Sequence, residues 1–165
     1  MCVLRKISIF AISILTLFSM TQLVIAQTYD EKLEFAGYLE ESLGHFWAIE
    51  QNLDDNNAEL ALVHATHPIA ELYLLMKPEL VEANPEFDSK VQQTLMQLAK
   101  KTGQDVTRQD AQIAINDAKQ VIEEARDIVV GKETSNELGF QVLLIQNLLK
   151  NSVQEYREGV IDGQI

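Results

Sequence analysis

The chain has 165 residues, 13 Lys+Arg against 25 Asp+Glu, a formal net charge of −12, and 47% apolar residues. Phosphate binding is driven by clustered lysine and arginine, so this balance excludes nucleic acid and disfavours an anionic membrane surface as partner. The apolar content is too high for a disordered acidic tail. The 139 residues beyond the first 26, with a net charge of −14, suffice for one core and not two.

In chain order, Met1 to Ala26 reads as an export signal. Arg5 and Lys6 form its charged start, an apolar stretch follows from Ile7, and Val24-Ile25-Ala26 supplies the small residues of a cleavage site. An uncleaved membrane anchor facing outward is the alternative. The only cysteine, Cys2, leaves with the signal, so the remaining domain, 27–165, has no thiol chemistry. That combination places the protein in a prokaryotic envelope, periplasmic or extracellular.

Helices are predicted near 29–53, 57–83, 86–102, 108–130 and 136–161. Four capping boxes mark starts: Thr28-x-x-Glu31, Asn56-x-x-Glu59, Thr107-x-x-Asp110 and Thr134-x-x-Glu137. Asn84-Pro85 gives a fifth. Gly103 and Gly131 sit where left-handed C-terminal residues belong, and Pro78 is a candidate early stop for the second helix. Apolar spacing agrees. Phe35, Leu39, Phe46 and Leu53 mark the first helix, Phe87, Val91, Leu95 and Leu98 the third. Ala111, Ala114, Ala118, Val121, Ala125 and Ile128 line the fourth. Leu138, Val142, Ile145, Leu149, Val153, Tyr156 and Val160 predict one long buried stripe on the last. The expected fold is all-α: an antiparallel bundle of four long helices plus one shorter helix, joined by short connections.

One segment carries candidate chemistry: His64-Ala-Thr-His67-Pro68-Ile-Ala-Glu71. At about 100° per residue His64, His67 and Glu71 share one strip with Leu60, Leu74 and Leu75, which predicts that the strip faces inward. Two imidazoles and a carboxylate suit a transition metal such as iron, copper or zinc, completed from a facing helix. Glu41 and His45 on the first helix are the expected partners, with Tyr38 and Glu34 on the same line. The same residues also suit a structural role, since Pro68 deprives the His64 carbonyl of its helical donor, or a proton switch. Asp54-Asp55-Asn56-Asn57 has Glu59 where a calcium loop requires glycine, and no nucleophile elbow or phosphate-binding glycine loop occurs. No enzyme is expected.

His64-Ala-Thr-His67-Pro68-Ile-Ala-Glu71-Leu-Tyr73, with Glu155-Tyr156-Arg-Glu-Gly-Val-Ile-Asp162-Gly163 far along, resembles the extracytoplasmic helical domain associated with prokaryotic iron permeases. The resemblance implies a helical module outside the membrane that serves metal uptake, with His64, His67 and Glu71 as its residues of interest. It does not extend to the permease motif Arg-Glu-x-x-Glu, because Arg157-Glu158-Gly-Val-Ile161 ends in isoleucine. Gly44-His45 followed by Glu50 has the residue types of the imelysin motif in a different spacing, and nothing carries over from it. The expected function is therefore an exported, non-enzymatic bundle that binds a transition metal or serves a metal-uptake system through an envelope or membrane protein partner. The alternative is an acidic interaction module without ligand, docking a basic partner or self-associating.

Overall fold

A computed structural model describes residues 4–103 and 105–161, with side chains from Tyr29 onward except at 155, 158, 159 and 161. Cys2 and the Asp162-Gly163 end of the resemblance lie outside the described residues, and of the export segment only a helical backbone from Leu4 is described. Two compact units divide the chain, Met1–Lys32 and Leu33–Ile165; the second holds the core and all three histidines. The described residues are helical, with no strand among them. Among the residues whose side chains are described, no helix is long and apolar enough to cross a membrane.

The elements are α1 (Leu4–Asp54), α2 (Ala58–His67), α3 (Tyr73–Ala83), α4 (Pro85–Lys100), α5 (Arg108–Ala125), α6 (Lys132–Asn136) and α7 (Leu138–Ile161). A π-helical turn, Pro68–Leu72, joins α2 to α3 without a break, and a second, Arg126–Val130, extends α5. Pro78 lies inside α3 and does not stop it. The first helix does not begin at Thr28 as its capping box predicts, because α1 runs through that position from Leu4.

Two starts behave as their sequences dictate. Thr107 accepts from the Asp110 amide at 3.1 Å and donates to its carboxylate at 2.8 Å. Asn84 accepts from the amides of Glu86 and Phe87 at 3.0 and 3.1 Å, ahead of Pro85. Two others shift. Asn56 takes a left-handed φ of 59°, which asparagine tolerates, so the cap of α2 falls to Asn57, accepting from Leu60 at 3.1 Å. Thr134 does not cap the last helix: it lies within α6, and Glu137 is the extended residue that closes α6. Gly131 has the expected positive φ, 89°, whereas Gly103 is not left-handed, since Lys101 already closes α4 with φ −96°.

Ion pairs fix the packing order. Arg108 meets Asp54 at 3.0 Å, Lys119 meets Glu50 at 2.9 Å, and Arg126 meets Glu40 at 2.8 Å, so α5 descends as α1 ascends. Lys90 pairs with Glu124, bringing α4 to the other side of α5. Alanines 111, 114, 118 and 125 are all buried on α5, and their small size lets both neighbours approach. The π turn then displaces the stripe: Ile128 is 43% exposed and Val130 takes the buried place. Phe87, Val91, Leu95 and Leu98 of α4 are buried, as are Phe35, Leu39 and Phe46 of α1, while Leu53 is half-buried.

The predicted buried stripe of α7 is on the outside. Leu138, Val142, Ile145, Leu149, Val153, Tyr156 and Val160 are 44–76% exposed. Phe140 and Leu144, on the opposite side of the helix, are the residues that pack, at 1% and 8% exposure. Alpha7 thus has two apolar faces, and among the described residues the longer one is exposed and the shorter one buried.

One polar pair lies in the core. Tyr73 Oη donates to Asp88 Oδ1 at 2.8 Å with both residues buried, and burial followed by this carboxylate pushes the Tyr73 phenol up to about 12. Tyr73→Phe removes the donor and leaves a buried carboxylate without it. The expected loss is about 1–3 kcal/mol in urea denaturation, more than removal of one apolar-neutral contact. A loss below about 0.5 kcal/mol would mean that solvent already satisfies Asp88.

Candidate functional site

The three histidines meet on the seam between α1 and α2. His45 lies one position before Phe46, whose fully buried ring fixes that turn of α1 against the core. Ala61 and Ala65, both fully buried, bring α2 close enough for His64 and His67 to reach across. His45 Nδ1 stands 3.1 Å from His64 Nδ1, and His45 Nε2 stands 3.1 Å from His67 Nδ1. His67 Nε2 in turn contacts Glu71 Oε2 at 2.7 Å across the π turn. The rings of His45 and His67 meet edge to face, centroids 4.7 Å apart.

Glu71, a carboxylate, only accepts, and that orders the neutral set. His67 donates through Nε2 and accepts at Nδ1; His45 donates through Nε2 and holds its lone pair at Nδ1, facing His64. The result is a line, Glu71–His67–His45–His64, that dictates one tautomer for the central ring. Burial first, then the neighbouring imidazoles of His67 and His64, pushes His45 down to about 4, with Glu71 opposing. His45 is therefore a neutral base at physiological pH.

Of the residues expected to meet, His45, His64, His67 and Glu71 come together, in surroundings other than those expected. The strip does not face a dry interior. The His67 and Glu71 side chains are 43% and 65% exposed, and Leu60, Leu74 and Leu75 beside them are 41%, 63% and 49% exposed. The face of α2 and α3 that packs is instead Ala61, Ala65, Leu72, Tyr73, Met76 and Leu80, roughly a third of a turn or more away. Glu41 does not join the histidines: its carboxylate accepts from Asn151 of α7 at 3.4 Å. Tyr38 donates to Glu34 at 2.7 Å, on the same line of α1. The broken turn at Pro68 is not repaired by imidazole, since both α2 histidines are directed to His45; Thr66 donates to the Val63 carbonyl at 2.9 Å.

Because His45 turns opposite nitrogens to its two neighbours, the three rings do not converge on one point. Among the described residues no group of three or more His, Cys, Asp and Glu is arranged to hold a metal ion. The Nδ1 atoms of His45 and His64 point at one another almost along one line, with ring centroids 5.4 Å apart, so an ion held by both requires each ring to tilt by roughly 40°. The nitrogens of two imidazoles that each bind one ion at about 2.0–2.1 Å stand close to the 3.1 Å between these two. Comparison of the chain with protein-family models, with curated proteins and with solved structures gave no match.

Proposed function

We propose that the protein is an exported, non-enzymatic helical module that takes up a divalent transition metal at the α1–α2 seam. His45 Nδ1 and His64 Nδ1 are its ligands, and His67 and Glu71 form the supporting chain behind His45. The observation that carries this reading is the 3.1 Å approach of two imidazole nitrogens, with the far nitrogen of one of them tied through a third imidazole to a carboxylate. Metal-bound histidines ordinarily donate their second N–H to just such a partner, which fixes the tautomer and raises ligand basicity. Nitrogen ligands suit iron, copper and zinc, and affinity within such a set rises toward copper. The likeness of His64–Tyr73 to the helical domain associated with iron permeases favours iron as the physiological cargo. Two protein ligands leave the remaining positions to water or to a partner, so the ion is held for transfer and not for structure or catalysis.

Calorimetric titration of the full chain with Cu(II), Zn(II) and Fe(II) tests this. Saturable binding of one ion per chain is expected, lost in the His64→Ala/His67→Ala double variant and weakened roughly 10- to 100-fold in Glu71→Gln. Absence of saturable binding, or binding that the double variant leaves unchanged, would overturn the proposal.

A further inference from the structure

The outward stripe of α7 has an unusual pattern. Its seven apolar side chains, Leu138, Val142, Ile145, Leu149, Val153, Tyr156 and Val160, stand at successive spacings of 4, 3, 4, 4, 3 and 4 residues. At about 100° per residue all seven fall within about 80° of one another. An 11-residue period of this kind keeps a stripe on one side of a nearly straight helix, with only slight right-handed drift. The spacing is also a palindrome about Leu149: position 138 mirrors 160, 142 mirrors 156, and 145 mirrors 153. A helix carrying such a stripe presents apolar side chains at the same positions when turned end for end, though the mirrored residues differ in size.

Charge points the same way. The chain carries a net charge of −12, yet between Leu138 and Ile161 the charged residues are Lys150, Glu155, Arg157 and Glu158, which sum to zero. Elsewhere the surface repels its like; this helix does not. In the mirrored register Arg157 lies opposite Gln141, and no charged residue faces another of its own sign. Neutrality also removes the electrostatic attraction that would hold the helix on an anionic bilayer. We infer that the outer face of α7 is a self-association surface, and that two copies of this chain pair through it antiparallel, Leu149 against the partner's Leu149.

The strip is about 36 Å long for its 24 residues and roughly 10 Å wide. Pairing then covers of order 700 Å² over both copies, which belongs to the weak, reversible class of interfaces. The dimer is thus expected to come and go with protein concentration.

Cysteine pairing reads out both the contact and its polarity. In the full chain with Cys2→Ser, which removes the only native thiol, Leu149→Cys is expected to form a disulfide-linked dimer under mild oxidation. Leu138→Cys alone and Val160→Cys alone are expected to stay unlinked, and a mixture of the two to cross-link. Sedimentation equilibrium of Leu149→Glu should show dimerisation at least roughly tenfold weaker, because each charge would face its own copy in an apolar seam. Positions 138, 149 and 160 are all exposed, so unchanged helical circular dichroism is expected throughout. A monomeric Leu149→Cys, self-linking of Leu138→Cys equal to that of Leu149→Cys, or dimerisation indifferent to Leu149→Glu would each overturn the inference. So would vesicle binding of the wild type that competes away the cross-link.

Discussion

Replacing His45 by alanine is expected to abolish metal binding and to flatten the acid side of the stability profile in one step. His45 is the ring on which both α2 histidines converge, and its Nδ1 is one of the two proposed ligands. Its pKa falls from the ordinary 6.5 to about 4 on folding. Above pH 6.5 the ring is neutral in both folded and unfolded chains, so folding is undisturbed. Between 6.5 and 4 the unfolded chain gains a proton that the folded one refuses, and stability declines as the pH drops through that window. Below 4 both states carry the proton and the contribution levels off. Since His45 is only partly buried, screening reduces the effect to on the order of 1 kcal/mol. Urea denaturation at pH 7.5 and pH 5 checks it: the difference between the two should shrink in His45→Ala by about that amount. An undiminished difference would show that other groups dominate the acid response.

A larger loss of stability is expected for Phe46→Ala. Phe46 is fully buried, and truncating such a ring costs about 3–5 kcal/mol through lost transfer energy and the cavity left behind. Total stabilities of single domains are about 5–15 kcal/mol, so the change consumes much of the margin. It also releases the turn of α1 that carries His45. Metal affinity should therefore fall even under conditions where the variant remains folded, as read by calorimetry beside circular dichroism. Unaltered affinity in a folded Phe46→Ala chain would mean that the histidine seam is positioned by α2 alone.

Much of the architecture is legible in the residues themselves. Asn84-Pro85 and Thr107-x-x-Asp110 set helix starts because their side chains satisfy local amides, a matter decided within four residues. The apolar rows of α4 and of α5 as far as Ala125 predict burial correctly, since each of those helices has one dominant apolar face. Alpha7 has two, and periodicity reports the longer one without revealing which face meets the body; Phe140 and Leu144 settle that only in three dimensions. The histidine cluster is foreseeable because a short turn folds α2 back on α1 and brings His64 and His67 opposite His45. What spacing does not reveal is the rotation of that cluster toward solvent, or the capture of Glu41 by Asn151, 110 positions away. The π turn at Pro68–Leu72 adds to the error, because a uniform winding angle carried across it misaligns α3 with α2.

The openness of the seam has a consequence for how cargo would be handled. With Glu71 at the water's edge and His67 beside it, ligand substitution can proceed from outside while the helices stay folded. Occupancy then follows the surrounding supply, rising in plenty and emptying in scarcity, as befits a courier and not a vault.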